Sequence, residues 1–212
     1  MAFNFKKEYR ALYLPSDEPG IVTVPSMNFI AVRGRGDPNL PDGDYAQAIG
    51  LLYAVAYTIR MSAKAGHSIR GFFDYVVPPL EGFWRQAGAA AGEIDYARKE
   101  DFQWISAIRL PDFVTRADHE WALQAAAEKK KMDLSRVEFL TYEEGLCVQC
   151  LHIGPYDDEP ATVARMHAYI QQQGCALDIT DRRLHHEIYL SDARRVAPEK
   201  RRTVIRHPIL RL

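Results

Sequence analysis

In the pattern of polar and apolar positions, His185-His186-Glu187 is followed by Ile188-Tyr189-Leu190, and Ser191-Asp192 closes the run. Ile, Tyr and Leu favour pleated structure, so the stretch predicts a strand. His185, Glu187 and Tyr189 fall on one face, His186, Ile188 and Leu190 on the other. Phe102-Gln103-Trp104-Ile105-Ser106-Ala107-Ile108-Arg109-Leu110 reads as another strand, stopped by Pro111. Its faces are Phe102/Trp104/Ser106/Ile108 and Gln103/Ile105/Ala107/Arg109. Ile21-Val22-Thr23-Val24 and Asn28-Phe29-Ile30-Ala31-Val32-Arg33 predict a hairpin around Pro25-Ser26-Met27. Residues 137–142 and 146–153 predict a second one around Glu143-Glu144-Gly145. Residues 72–77 are strand-like, but Pro78-Pro79 marks the following Leu80-Glu81-Gly82-Phe83-Trp84 as an edge or bulged strand. Residues 86–93, rich in Ala and Gly, read as a loop, and residues 1–19 as a polar lead-in with a helical turn or two.

Elsewhere the period lengthens to that of a helix. Ile49, Leu52, Ala56, Ile59 and Ala63 recur behind Asp44, a candidate N-cap, and before Gly66, with Tyr45, Tyr53 and Tyr57 flanking the stripe. Thr115 with Asp118 opens a helix that runs past Trp121 to Lys130 and Lys131. Val163, Met166 and Ile170 form the stripe of another, capped by Asp158, with Pro160 in its first turn and Gly174 at its end.

The two halves read alike: strand, strand, helix, strand, strand. Sliding one on the other lays Pro25-Ser26-Met27 on Glu143-Glu144-Gly145, Gly36 on Gly154 and helix on helix. A slightly shorter slide lays Glu81 on Glu187. The expected fold class is α+β: pseudo-two-fold tandem strand-helix-strand-strand modules with a joined antiparallel sheet and a central ligand cleft. Residues 1–20 are the N-terminal lead-in and 21–212 the domain. Module one covers about 21–110, the linker helix about 115–131 and module two about 136–208. Each half has one helix on one sheet face. The opposite face is then expected to form a trough with Glu81 and Glu187 near its middle, walled by aromatic rings.

Composition narrows the class. The chain has 212 residues, 47% hydrophobic and 26% charged, with formal net charge −1. That balance carries no electrostatic footprint for nucleic acid. No apolar run is long enough to span a membrane, and the start lacks the apolar stretch of a signal peptide, so the cytoplasm is the expected compartment. Three cysteines make no disulfide framework. Cys147 and Cys150, an odd number of positions apart in a strand, point to opposite faces and suit neither a metal nor a disulfide. Gly34-x-Gly36 lacks the rest of a dinucleotide fingerprint. His67, His119, His167 and His207 show no matching ligand spacing, and His152 suits a local hydrogen bond. No metal and no cofactor are expected.

Several motifs then resemble one family. His186-Glu187-Ile188-Tyr189-Leu190-Ser191-Asp192, followed by Arg194-Arg195 and Ala197-Pro198-Glu199-Lys200, resembles the C-terminal signature of GyrI-like small-molecule-binding proteins. So does His152-Ile153-Gly154-Pro155-Tyr156-Asp157-Asp158-Glu159. Gly34-Arg35-Gly36-Asp37-Pro38-Asn39, Pro79-Leu80-Glu81-Gly82-Phe83-Trp84 and Leu110-Pro111-Asp112-Phe113-Val114-Thr115 resemble a stand-alone bacterial branch. The resemblance, over about residues 15–208, implies tandem modules with a cleft between them. The family includes effector domains of multidrug-responsive activators, in which a buried glutamate meets cationic drugs. It also includes DNA gyrase inhibitors, and stand-alone members similar to hydrolases that open the cyclopropane of DNA-alkylating natural products. The domain leaves no room for a helix-turn-helix, which argues against a transcription factor.

The expected function is binding of a small hydrophobic or cationic aromatic ligand, with hydrolysis of cyclopropanoid toxins as a detoxifying chemistry. Glu187 would be the general base and Tyr189 a donor beside it. Glu81 would be the second carboxylate, and Trp104, Phe83 and Tyr53 would hold the ligand. Trp84 falls on the face opposite Phe83, and His185 shares the Glu187 face and would tune it. A non-catalytic drug-sequestering or sensing module and a protein-interaction module such as a gyrase inhibitor are the alternatives. The residues do not name the natural ligand or the oligomeric state.

Overall fold

The computed structural model describes residues 2–88, 94–95 and 97–212. Residues 89–93 of the expected Ala/Gly-rich loop lie outside that set. The chain opens with Phe3–Asn4 (β1) and two single turns, Phe5–Glu8 (α1) and Arg10–Tyr13 (α2). Gly20–Val24 (β2) and Met27–Arg35 (β3) lead to Asp44–Arg60 (α3). Tyr75–Val76 (β4) pairs in parallel with β1, so most of the strand expected over 72–77 is absent. Leu80–Gln86 (β5) and Phe102–Arg109 (β6) precede Arg116–Lys130 (α4). Glu138–Tyr142 (β7), Gly145–Ile153 (β8), Glu159–Gln172 (α5), Cys175–Leu177 (β9), His185–Tyr189 (β10) and Arg202–Arg211 (β11) complete it.

Local signals account for most helix ends. Thr115 and Asp118 form a reciprocal capping box at α4. Gly66, at φ 78°, ends the 3-10 turn that follows α3. Asp44 is the first helical residue rather than the cap, which is Gly43, and its carboxylate pairs with Arg136 at 2.6 Å.

Both expected hairpins are absent. The main sheet runs β2-β8-β11-β10-β5-β6-β3-β7, antiparallel throughout, with β9 added beside β11. β2 pairs with β8 and β3 with β7, so each half lends its first strand to the other half's sheet. The order reads the same in reverse when β2, β3, β5 and β6 are exchanged for β7, β8, β10 and β11. Only Pro25 and Ser26 separate β2 from β3. Three Cα steps span at most about 11 Å, so the sheet curls until its two edge strands approach at that end. Pro25 has no N–H to donate to a hairpin turn, and β2 and β7 instead pair along their whole length with β8 and β3 across the curl.

β5 is a central strand, between β10 and β6, and not an edge. Its prolines stop one residue short of it, where no ladder hydrogen bond is required. Outside the curl, Leu52, Val55 and Ile59 of α3 and Ala122 and Ala126 of α4 pack on Ile30, Val32, Trp84, Trp104 and Ile108. Met166 and Ile170 of α5 pack on Val148, Cys150 and Ile205. Inside it, Phe5, Leu12 and Tyr13 of the lead-in pack on Phe29, Phe83, Cys147, Leu151, Ile188 and Val204. The inner face is thus filled, largely by the N-terminal turns. Among the described residues, no helix is long and apolar enough to cross a membrane.

Candidate functional site

β10 keeps its expected alternation. His185, Glu187 and Tyr189 lie on the outer face, beside the helices; His186 and Ile188 lie inside the curl. Glu187 stands at the seam between the half covered by α3 and the half covered by α5. Its side chain retains 11% exposure, and Oε1 lies 3.0 Å from His185 Nε2. Directly opposite on β5 is Gly82. A Cβ there would lie 2.5 Å from Trp84 Nε1 and 2.8 Å from the Tyr189 hydroxyl. Glycine at this point lets Trp84 Nε1 donate to Tyr189 across the strand at 3.0 Å.

Rings close around the carboxylate. Tyr45, from the first turn of α3, meets Trp104 edge-on at 5.0 Å and lies 5.3 Å from Trp84. Tyr156, in the turn before α5, meets Tyr189 edge-on at 5.8 Å. Gly34 admits Trp104, whose indole occupies the place a Cβ would take. Burial, and then the negative charge of Glu187, hold the Tyr189 phenol well above its ordinary pKa. Burial raises Tyr45 as well and pushes Tyr156 up to about 12. All three phenols stay protonated at neutral pH.

A row of imidazoles runs away from Glu187. His185 Nδ1 is 2.6 Å from His207 Nε2, and His207 Nδ1 is 3.1 Å from His167 Nε2. Burial, and then the neighbouring imidazoles, hold His207 well below its ordinary pKa; the same causes, more weakly, lower His167. A cavity of about 190 Å³ lies against all three rings and against Pro160, Val163 and Ala164 of α5. Glu159, Glu187 and His185 turn ligand-type atoms within 4.8 Å of one another. Both nitrogens of His185 already face partners, Glu187 and His207. The arrangement therefore suits a hydrogen-bonded carboxylate better than a cation.

Glu81 does not share this site, which corrects the expected pairing of the two glutamates. Glu81 stands opposite Ile188, inside the curl, with its side chain 1% exposed. Its carboxylate lies 2.9 Å from His186 Nε2 and accepts from the Tyr13 hydroxyl at 3.1 Å. His186 Nδ1 meets Glu144 at 2.9 Å, and Arg206 donates to Glu144 at 2.7 Å and to the Leu12 carbonyl at 2.7 Å. This network anchors the N-terminal turns. Phe83 stacks on His186 at 4.0 Å on the same inner face. Tyr53 stacks on Tyr57 along α3, away from the rings gathered around Glu187 among the described residues. Trp84, Trp104, Tyr189, His185 and Glu187 are the expected site residues that do come together.

Residues 17–210 match the model of the GyrI-like small molecule binding domain. The chain belongs to the GyrI-like family. A search of curated proteins finds no match. Among solved structures, a protein described as a hydrolase from Listeria innocua is 43% identical, with TM-score 0.88, over 98% of this chain and 100% of that one. An uncharacterized conserved protein from Listeria innocua is 44% identical, with TM-score 0.91, over the same shares. The EcmrR C-terminal domain, 14% identical with TM-score 0.53 over 92% and 98%, shares the fold.

Five residues of this GyrI-like site escape a sequence reading: Tyr45, Tyr156, Glu159, His167 and His207. Tyr45 and Glu159 sit in the first turns of the two equivalent helices, and Tyr156 just before one, which was the available signal. His207, whose spacing matched no ligand pattern, lies on β11, and pairing of His186 with Arg206 brings it beside His185. Among the other histidines, His152 bonds locally to the Pro155 carbonyl and to Thr162, both at 2.9 Å.

Proposed function

We propose that this GyrI-like protein binds a flat hydrophobic or cationic aromatic molecule in a cleft over Glu187, between α3 and α5, and hydrolyses it. The observation that carries this reading is a buried, His-bonded carboxylate ringed by Trp84, Trp104, Tyr45, Tyr156 and Tyr189. Rings at that spacing suit a planar or cationic ligand. A carboxylate with one oxygen held by His185 has the other for water. Described hydrolases at 43% identity over nearly the whole chain support turnover.

The substrate class is an electrophilic cyclopropane conjugated to a carbonyl within a fused aromatic skeleton. Glu187 removes a proton from water as its oxygen bonds to the ring CH2. The cyclopropane C–C bond breaks, and its electron pair passes through the conjugated system to the carbonyl oxygen, which then takes a proton. Tyr189, protonated and next to Glu187, orients the water. Low-dielectric surroundings strengthen each of these contacts.

Incubation with such a compound, followed by mass spectrometry, tests the reading. The expected product gains one water. Glu187→Gln should lower kcat by about 10²–10⁴-fold, the range for losing a general base, with the ligand still bound. Stoichiometric binding without product in the unaltered protein would replace hydrolysis by sequestration, with Glu187 as the counter-charge of a cation.

A further inference from the structure

We infer that His207 and His167 are positioning residues for Glu187, acting through His185 as a chain of uncharged imidazoles whose N–H bonds all point toward the carboxylate. The inference rests on the reading of Glu187 as a base. With Glu187 ionised and the three rings uncharged, the three contacts allow one arrangement. Its Oε1 must accept, so His185 carries its proton on Nε2. His185 Nδ1 is then an acceptor, and His207 must donate from Nε2. His207 Nδ1 is in turn an acceptor, and His167 donates from its own Nε2. One tautomer is repeated three times. The first two rings are buried, and His167 is half-buried on α5 at the edge of the 190 Å³ cavity.

Two consequences follow from that polarity. Three aligned N–H dipoles pin Oε1, so Oε2 is the oxygen that meets water. The chain also connects Glu187 to the surface. A proton added at His167 Nδ1 moves one N–H proton across each of the three contacts and arrives on Glu187 Oε1. One proton enters, three hydrogen bonds reverse, and one carboxylate is neutralised. The other titratable groups facing Glu187 are Tyr189 on its own strand, Tyr45 of α3, Tyr156, and Glu159 of α5. The tyrosines hold their protons throughout the neutral range.

The tautomers are read directly by 15N NMR of the imidazoles of the full-length protein near pH 7. Uncharged rings protonated at Nε2 in His185, His207 and His167 are expected; Nδ1–H or charged rings in His185 or His207 would overturn the inference. His167→Phe removes the last donor, whereas His167→Gln can donate from its amide. With a cyclopropane-bearing substrate, His167→Phe should lower kcat about 10-fold, as loss of an outer hydrogen-bond partner does. KM should hold, the acid limb of the pH profile should move, and His167→Gln should restore most of the rate. Equal losses in both variants would sink the positioning role. Should no substrate turn over, the tautomers alone decide the matter, and only the hydrolytic reading fails.

Discussion

A missing side chain shapes the site as much as the ones present. Gly82 faces Glu187 across the ladder, and the indole of Trp84 reaches the Tyr189 hydroxyl over it. Gly82→Ala should therefore cost about 1–3 kcal/mol, the usual range for an overpacked position, with a loss of ligand affinity. Denaturant midpoints and ligand titration of the same variant check both. On the other face, Tyr13 donates to Glu81 in full burial. Tyr13→Phe leaves that oxygen without its donor and should cost about 1–3 kcal/mol, with no change in kcat. An equal fall in kcat would mean that the two faces are coupled. The partners of Glu187 within its own strand were legible, because alternation is a local property of an extended backbone. Its partner across the strand was not, because register depends on which residues of two distant segments meet, and a slip of one residue exchanges the faces.

Among the elements, α4 illustrates a signal that stays local. Thr115 and Asp118 cap it as their spacing predicts, and Thr115→Ala should cost about 1 kcal/mol, read as a lower Tm. The strands show the opposite case. Both hairpins were plausible from their turns, yet a two-residue connection constrains only the distance between strand ends. It does not oblige the strands to pair. β2 and β7 satisfy their backbone groups on the neighbouring half, and this exchange stitches the halves together. The same holds for Pro78-Pro79. Proline excludes a residue from a central strand only where its N–H would be needed, and β5 begins just beyond.

For the molecule as a whole, the buried charges set the pH range of stability. Burial alone would raise the Glu144 carboxyl, but the charges of His186 and Arg206 outweigh it and hold Glu144 at about 2. That contribution is complete above the unfolded pKa of about 4.3 and is lost as pH falls from there toward 2. His186 behaves in the opposite sense. Burial would lower it, but Glu144 and then Glu81 hold it above its ordinary value. Its contribution is complete below about 6.5 and declines as pH rises through its folded pKa. The Glu144–His186 pair should therefore contribute most to stability in mildly acid solution. Glu144→Gln should flatten the acid limb and, by leaving Arg206 buried without its counter-charge, cost about 3–5 kcal/mol. Chemical denaturation across pH measures all three effects. The N-terminal turns should detach first on acidification, seen as faster amide exchange at Leu12 and Tyr13, because this network holds them. The amino-acid sequence by itself determined the elements with a local period or cap, the shared face of His185, Glu187 and Tyr189, and the opposed thiols of Cys147 and Cys150. Each follows from backbone geometry within a few residues. The curl of the sheet, the exchange of β2 and β7, the burial of Glu81 away from Glu187 and the row of imidazoles ending at His167 were decided only in three dimensions. Each depends on which distant segments pair and in what register, and that is a competition among whole-chain packings that no single stretch encodes.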